Sequence, residues 1–476
     1  MVNYDPFTID GDPIDQAEQG ARLGPNQYQD KHSEQFAELV HQFKRAICDA
    51  HMRSCRFSVT ETSYILNPTP IQGYPAIPVV LNPIEVSRPA ADGSGGGILL
   101  SGQAPQHPNA YAAVFSELCA RIDLALDGHY SLPTYADVSA LRSTTIDWAK
   151  KLIGDSNQNP DSLPLWIETA KNRLSESKSQ TLTRVANDML GGLKPAISIL
   201  AEASFACVSL INLNAHAINV LRSETRSAIS AAIAACDNIT ARQTKCALDF
   251  AITLLKVTDY AEKIMKGDLG ATADVLGQIS TWLTVDSVET LLNTFVYTDE
   301  NIIVEFENAI AKIDENFRLA EEAIQKAYIA ISDTLSERYG SGDLTIDDQA
   351  DYASYRTQIL SVDHEMLEQV YNGDLLEIVS HLNNIKEDTY RSNYTAAFAR
   401  WHSLGVSPSG PSNSFYNVVE GIRLSVQRLS ESCEGIAAGL QRFDSEMKST
   451  ETDSADNIRK ITDAMQGTTK TIPEFA

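Results

Sequence analysis

The sequence has few cysteines, and they are not arranged in pairs. Seven are scattered over 476 residues, and no Cys-x-x-Cys motif occurs. A secreted disulfide scaffold would need an even set at close spacing, and a structural zinc site would need paired thiol or imidazole ligands. We therefore expect reduced thiols that pack as small hydrophobic side chains, with no metal ion held by the protein.

Two kinds of hydrophobic segment are also missing. No basic segment followed by an apolar one comes after Met1, and no uninterrupted apolar run reaches the length of about 18 residues that is typical of a spanning helix. These absences predict that the chain has no ordinary secretory signal peptide, and they leave no membrane-spanning helix evident.

Positive charge is scarce. The 38 basic residues are outnumbered by 63 acidic ones, which gives a net charge of −25. A field of this sign repels phosphate backbones, which nucleic-acid-binding proteins must neutralise. It also favours solubility and weakens contact with anionic membranes. We therefore expect no nucleic-acid partner.

Motifs for catalysis and cofactor binding are missing as well. The nine histidines include no His-x-x-x-His pair, and no Gly-x-Ser-x-Gly elbow or Gly-x-x-x-x-Gly-Lys-Ser/Thr loop occurs. The stretch DGSGGG at 92–97 precedes no helix, so it is predicted to be a flexible loop rather than a phosphate loop. Residues 363–365 are predicted to lie on a solvated helix face. The sequence predicts a protein that is not an enzyme, with no catalytic residue and no cofactor.

Glycine and proline are absent from one long stretch. Neither occurs in the 71 residues from Ala196 to Lys266. As a single helix this stretch would be roughly 105 Å long, at about 1.5 Å per residue. Isolated helices are marginally stable, so a helix of this length needs partners along it. The weak helix formers at 212–214 make a break there the alternative.

The clearest positive signal is a hydrophobic seam at helical spacing. Between Phe415 and Met447, apolar residues recur at alternating steps of four and three, and a similar seam runs from Ile302 to Leu335. Narrow stripes of this kind indicate knobs-into-holes packing, and short connections favour antiparallel neighbours. The sequence predicts a mainly α fold: an elongated antiparallel helical bundle with long coiled-coil-like helices and a smaller, loop-rich N-terminal α+β portion. Separate domains of short helices are the alternative.

Composition divides the chain into three parts. Residues 1–105 are rich in proline and glycine and are predicted to hold one helix and short strands among loops. Residues 106–295 are predicted to be helical and to include the very long helix 196–266. Residues 298–476 are predicted to form a coiled-coil-like helical bundle.

The segment from Gly191 to Leu221 is apolar on more than one face. One interpretation is a helix buried at the centre of the bundle. The other is a membrane-active segment that stays folded away until it is triggered, and in this respect the chain resembles the α-helical pore-forming toxins. The apolar residues that define the segment are Ile197, Ile199, Leu200, Phe205, Val208, Leu210 and Ile211.

Two stretches resemble substrates of the actinobacterial type VII (ESX) secretion system. One begins at Leu165 and Trp166 and leads into a long alanine-rich helix, as in the helical hairpins of the Trp-x-Gly superfamily. The other, from Val418 to Ile461, is similar to single-helix ESX-associated proteins. The resemblance implies export in the folded state, often as a heterodimer. It also implies a signal that combines Trp-x-Gly in a turn with Tyr-x-x-x-Asp/Glu after the second helix.

Four residues are candidates for this export signal: Trp401, Gly405, Tyr339 and Asp343. The tryptophan and the glycine lie at a predicted hairpin turn, with two more positions between them than the motif has. The tyrosine and the aspartate match the spacing and end a helix, whereas a second match, Tyr416-x-x-x-Glu420, begins one. The alternative role for the tryptophan is a cap that packs on the end of the bundle.

These observations give three hypotheses of function. The first is a non-enzymatic helical protein that acts by partner-helix binding or self-association and resembles a type VII secretion substrate. Such a protein would be secreted without an ordinary signal peptide, or cytoplasmic before export. The second is an α-helical pore-forming toxin, for which a membrane is the target. The third is a structural assembly protein of a phage or a cell surface.

Overall fold

The computed structural model describes residues 32–67, 83–102, 110–154, 162–177, 179–237, 299–346, 363–391, 394–400 and 404–468. Within these residues the fold is mainly α, with long helices and a small antiparallel sheet near the N-terminus. The predicted fold class is therefore confirmed. The predicted domain boundaries near residues 105 and 295–298 lie outside the described residues.

The N-terminal part packs two helices against a sheet. Helix α1 spans His32–Ser54 and helix α2 spans Ala110–Leu126. Four antiparallel strands pair in chain order, and their bounds are β1 (Ser58–Val59), β2 (Ser63–Leu66), β3 (Ile84–Ser87) and β4 (Leu99–Ser101). The buried Asp49 carboxylate accepts hydrogen bonds from Tyr64 Oη at 2.7 Å and from Arg88 Nε at 2.9 Å. This carboxylate therefore ties α1 to the sheet.

The rest of the described chain is almost entirely helical. The helices are α3 (Tyr135–Ile153), α4 (Leu163–Glu176), α5 (Gln180–Arg184), α6 (Gly191–Asp237), α7 (Asp299–Gly340), α8 (His364–Gln369), α9 (Leu375–Arg391), α10 (Thr395–Phe398) and α11 (Ser412–Thr468). A 3₁₀ turn, Asp127–Ser131, precedes α3, and Thr134 and Asp137 form a capping box that fixes the start of that helix.

Two π-helical turns interrupt the helices, at Val185–Leu190 and at Val370–Asp374. Turns of this kind are rare and are frequent at functional sites. Helix α4 packs against both of them. Arg173 of α4 places Nη1 2.7 Å from Oδ1 of Asp374, a carboxylate that is almost completely buried in the second π-helical turn. Burial raises the pKa of Asp374, and the Arg173 charge offsets only part of this effect.

Both predicted seams form the core of the bundle. On α11 the positions of the seam from Phe415 to Phe443 are buried, and on α7 the positions of the seam from Ile302 to Leu335 are buried except for the half-buried Ala309. Each Leu or Phe removed from water stabilises the fold by roughly 1.5–3 kcal/mol, which explains why the periodicity determines the packing.

The long helices do not all alternate in direction. Helix α9 runs antiparallel to α11, because Tyr371 just before it contacts Asp444 and Tyr394 just after it contacts Phe415. Helix α7 runs parallel to α11, since Tyr328 packs on Phe415 and the later Leu335 faces Gly421. The segment from α8 to α10, which follows α7 and precedes α11 in the sequence, runs in the opposite direction and makes this parallel arrangement possible.

Helix α6 is the central element. It packs against α1, α3 and α7 and also contacts α4 and α11. It continues without a break through the Asn-Leu-Asn stretch at 212–214, so the alternative of a break there is wrong. The predicted helix 196–266 is present as far as Asp237, and its remainder lies outside the described residues.

Candidate functional site

Tyr339 and Asp343, the candidate export signal, lie at the exposed end of α7. Tyr339 is 38% exposed in the last turn of the helix, and Gly342, with φ +89°, turns the chain after it. Asp343 folds back, since its N–H donates to the Arg338 carbonyl at 3.0 Å and its carboxylate accepts from Arg338 Nη1 at 2.9 Å. Hydrogen bonds from Arg338 and Ser341 hold the pKa of Asp343 below its ordinary value. The aspartate therefore stays charged beside the tyrosine.

A groove of about 310 Å³ begins at Tyr339 and lies between the parallel helices α7 and α11. Its lining residues are Leu335, Ser336 and Tyr339 of α7, and Gly421, Leu424, Ser425 and Arg428 of α11. Gly421 forms part of the floor, because a Cβ there would lie 3.6 Å from Leu335 Cδ1. Leu424 is 47% exposed at the edge. A surface of this size, apolar with a few polar groups, suits an apolar side chain of a partner.

The other half of the candidate signal lies in a loop that is clamped to α7. Trp401 is outside the described residues. Gly405, with φ +75°, lies so close to Glu321 of α7 that a Cβ would overlap its Oε2. Glu321 Oε2 also accepts a hydrogen bond from the Val406 N–H at 3.0 Å. Only glycine fits this position, because the φ and the close approach both exclude a side chain.

The same carboxylate forms a completely buried ion pair. Arg400 and Glu321 pair with 0% of either side chain exposed. The Arg400 guanidinium lies 5.2 Å from the centre of the Phe317 ring, and its Nε donates to the Phe398 carbonyl at 3.1 Å. Burial raises the pKa of Glu321, and the Arg400 charge and the Val406 N–H offset only part of this effect. The structure therefore gives Gly405 a position in a buried clamp, and places it away from Tyr339 and Asp343.

The candidate membrane-active segment lies in the middle of α6. Every residue from Ala203 to Ala215 is buried, as are Ile197 and Leu200, whereas Ile199 is half-buried. Among the described residues, one helix is long and apolar enough to cross a membrane, Leu182–Asp237, and 83% of its most apolar window is buried. The criterion of uninterrupted apolar runs misses this helix because isolated serines and asparagines divide it. A core helix and a concealed membrane segment pass the same test.

The buried part of α6 contains polar groups of two kinds. The hydroxyls of Ser204 and Ser209 donate to the carbonyls of Leu200 and Phe205 in the preceding turn. The amides of Asn212 and Asn214 are 1% and 0% exposed and have no hydrogen-bond partner among the described residues. An unsatisfied buried polar group costs roughly 1–3 kcal/mol, so these two amides strain the buried state of α6.

A charged cluster joins α8 to α11. His364 Nδ1 contacts the buried Asp444 carboxylate, and His364 Nε2 lies 3.0 Å from Glu451 Oε2. Tyr371 and Lys448 also donate to Asp444, at 3.2 and 2.8 Å. The hydrogen bond to Asp444 raises the pKa of His364, although burial opposes it. Burial would raise the pKa of Asp444, but its hydrogen bonds together hold it below the ordinary value.

This cluster is an ion-pair network rather than a relay for catalysis. Both ring nitrogens of His364 face carboxylates, so neither can activate a hydroxyl or a thiol. Asp363 and Glu365 are exposed, as predicted for a solvated helix face, whereas His364 between them is half-buried against partners that lie 80 and 87 residues along the chain. No local spacing signals such a pair.

A second histidine has a geometry closer to a catalytic triad. His129 Nδ1 lies 3.2 Å from Thr225 Oγ1, and its Nε2 lies 3.0 Å from Asp314 Oδ1. The Thr225 hydroxyl, however, donates to the Leu221 carbonyl at 2.7 Å and is completely buried. A substrate cannot reach this hydroxyl, so the three residues serve to join the 3₁₀ turn to α6 and α7.

Metal-ligating groups do not converge anywhere in the described parts of the chain: no set of three or more His, Cys, Asp or Glu side chains there could hold a metal ion. Comparison of the chain with protein-family models, with curated proteins and with solved structures finds no match. The resemblances to type VII secretion substrates and to pore-forming toxins therefore stay predictions from the sequence.

Proposed function

We propose that this protein is a non-enzymatic helical bundle that acts by binding a partner helix or a second copy, and that it is exported in the manner of a type VII secretion substrate. The observation that carries the proposal is the position of Tyr339. This side chain is 38% exposed, ends a long helix, and lines a groove between two parallel helices. A third helix that packs there would bury Tyr339 and Leu424 together.

The charge state of the helix end supports the same proposal. The Arg338 side chain orients the Asp343 carboxylate and keeps it ionised at the surface, one turn after the tyrosine. A receptor that recognises an aromatic ring and a carboxylate at this spacing could bind Tyr339 and Asp343 together, because both lie on one fixed turn. Gly405 supports the proposal less, because it packs against Glu321 inside the fold. Trp401 lies outside the described residues and adds no support.

The test is export of the full chain from an actinobacterial host that has a type VII system. We expect Tyr339→Ala and Asp343→Ala to abolish the appearance of the protein in the culture medium while the cell-associated amount is kept. Tyr416→Ala is the matched control, since Tyr416 is 43% exposed and begins its helix rather than ending it. Equal circular dichroism spectra of the variants would show that all are folded. Export that is unchanged by Tyr339→Ala would refute the proposal.

Self-association is tested separately by native mass spectrometry of the purified chain. If the groove binds a second copy, Leu424→Glu shifts oligomers to monomers, whereas Leu124→Glu, at another exposed leucine, does not. A wild-type chain that stays monomeric over the whole concentration range would leave a different partner as the occupant and remove self-association from the proposal.

We propose membrane insertion as a second candidate function, which the two unpartnered amides of α6 favour. In a hydrated pore, Asn212 and Asn214 would regain hydrogen-bond partners that the bundle core does not supply. Dye release from liposomes, at neutral and acid pH and with anionic and neutral lipids, tests this function. Vesicles that stay intact under all four conditions would rule out membrane insertion. The unsatisfied amides of α6 would then have no role in a membrane-inserted state.

A further inference from the structure

Two cysteines face each other between α1 and α2. Lys44 Nζ of α1 lies 2.7 Å from Asp123 Oδ2 of α2, and about two turns further along α1 and back along α2 the rings of His51 and Phe115 are 6.4 Å apart. The two helices are therefore antiparallel in a fixed register. Cys48 lies between the two contact residues of α1, and Cys119 lies between those of α2. Because residues three and four apart share a helix face, this register places the two thiols opposite each other.

The two thiols differ in environment. Both are free, Cys48 is completely buried, and Cys119 is only partly buried. The two thiols are near enough to affect each other as hydrogen-bond partners, with Cys48 as the donor, because the interaction raises the pKa of Cys48 and lowers that of Cys119. That hydrogen bond and the nearby Lys44 charge hold the pKa of Cys119 below its ordinary value, although burial opposes them. The same hydrogen bond and burial raise the pKa of Cys48.

The glycine-rich loop covers this pair. The Gly93 carbonyl lies 3.6 Å from Cys119 Sγ, and a Cβ at Gly93 would meet the Lys44 side chain. The stretch 92–97, predicted from the sequence to be a flexible loop, is thus packed on both helices. Cys48 is enclosed and Cys119 is partly exposed beside the loop, so the side of Cys119 is the one from which a small molecule can approach the pair.

We propose that Cys119 is a site of thiol–disulfide exchange with low-molecular-weight disulfides, and that Cys48 is the resolving thiol that closes a Cys48–Cys119 bond. The pairing of an accessible thiol with an enclosed one is the arrangement that this chemistry requires. Export is not needed for this inference, so it stands independently of the proposed function.

The reaction balances without any further reagent. The Cys119 thiolate attacks one sulfur of R–S–S–R, the S–S bond breaks, and one thiolate R–S⁻ leaves. Cys48 then loses its proton to the leaving thiolate and attacks the Cys119 sulfur, which expels the second thiolate. The second leaving thiolate takes up from solvent the proton that Cys119 released when it ionised. The two protein thiols are thus oxidised to one disulfide, and the small disulfide is reduced to two thiols.

Cys236 at the end of α6 is the competing partner. It is completely buried and lies close enough to Cys48 to affect the Cys48 thiol electrostatically. Because Cys236 is completely buried, it has no open side for a small disulfide. The exchange therefore starts at Cys119 and ends at Cys48.

The test uses the full chain and glutathione disulfide as the probe. The folded chain is incubated, quenched with acid and N-ethylmaleimide, digested without reduction and mapped by mass spectrometry. We expect a linked Cys48–Cys119 peptide from the wild type. Cys48→Ser should lose the link and accumulate a glutathione adduct on Cys119, and Cys119→Ser should lose both products. Cys433→Ser, a buried thiol of the other core cluster, should behave as the wild type.

Two results would overturn the inference, and neither depends on a variant. One is a native wild-type chain in which Cys119 stays unmodified while the same chain, unfolded in urea, is oxidised. The other is a native chain in which Cys48 becomes linked to Cys236. Time points before completion give a further check, because the Cys119 adduct must appear before the link.

Discussion

The buried pair of Glu321 and Arg400 gives the sharpest prediction of stability. Arg400→Met keeps an apolar chain against Phe317 but leaves the Glu321 carboxylate buried without its counter-ion. Removal of one partner of a buried ion pair costs about 3–5 kcal/mol. Glu321→Leu should cost a similar amount, because it leaves the Arg400 guanidinium in the same enclosed space.

The double variant should behave differently from the sum of the two changes. With both charges gone, neither group pays for desolvation, so Glu321→Leu with Arg400→Met should lie within about 1 kcal/mol of the wild type or exceed it. Urea unfolding followed by far-ultraviolet circular dichroism measures these differences as shifts of the midpoint at constant slope. Arg318→Met is the matched control on α7, since its partners Glu315 and Glu322 are solvent-exposed or nearly so and its loss should have a much smaller effect.

Additive losses in the double variant would refute this reasoning. They would mean that each side chain contributes through its own packing, and that the charges are not coupled. A further variant distinguishes the contribution of the Glu321–Arg400 charges from that of the Gly405 backbone. Gly405→Ala should destabilise the chain even when both charges are absent. There the left-handed φ remains unfavourable for alanine whatever faces it.

Two further predictions concern α6 and α8. Asn214→Leu replaces an unpartnered buried amide by an apolar group of similar shape, so it should raise the free energy of unfolding by about 1–3 kcal/mol. The control Asn417→Leu, on the exposed face of α11, should change the free energy of unfolding by less than about 0.5 kcal/mol. A loss of stability with Asn214→Leu in urea unfolding would show that the amide has partners. The stability difference between the wild type and His364→Gln should be greatest between the ordinary pKa values of 3.8 for Asp444 and 6.5 for His364. It should fade as the pH rises through the raised pKa of His364 or falls through the lowered pKa of Asp444. Unfolding measured as a function of pH checks this, and a difference that persists undiminished in alkali would contradict the role of the imidazolium.

The parts of the fold that the sequence predicts are those that depend on local spacing. The seams from Ile302 and from Phe415 determine which face of each helix is buried, because 3.6 residues per turn bring those positions together whatever the partner is. The central position of α6 also follows from its composition, since few charges interrupt it. Helix is present over the predicted range from 196 as far as Asp237, and the part from 238 to 266 lies outside the described residues, so the full length stays a prediction.

The parts that the sequence does not predict are pairings over long separations. Val406 reaches Glu321 across 85 residues, and His364 reaches Asp444 across 80. Nothing in the local sequence distinguishes Glu321 from the exposed acids around it on α7. The parallel direction of α7 and α11 could not be predicted for the same reason, because it depends on how the segment from α8 to α10 folds in the sequence between them. The candidate export signal at Tyr339 is a prediction from a sequence motif, whereas the groove beside it depends on which helix packs next to α7.

The enclosed position of α6 has a consequence for synthesis of the chain. Its partners come from both sides of it in the sequence, and α11, one of them, begins only at Ser412. At about 5–20 residues per second, the ribosome needs on the order of ten seconds to make the chain from Asp237 to Ser412. During that interval α6 has emerged together with α1, α3 and α4, but the surfaces of α7 and α11 that complete its enclosure are not yet in place. The enclosure of α6 is therefore completed only after α11 has left the exit tunnel, when most of the polypeptide has been made.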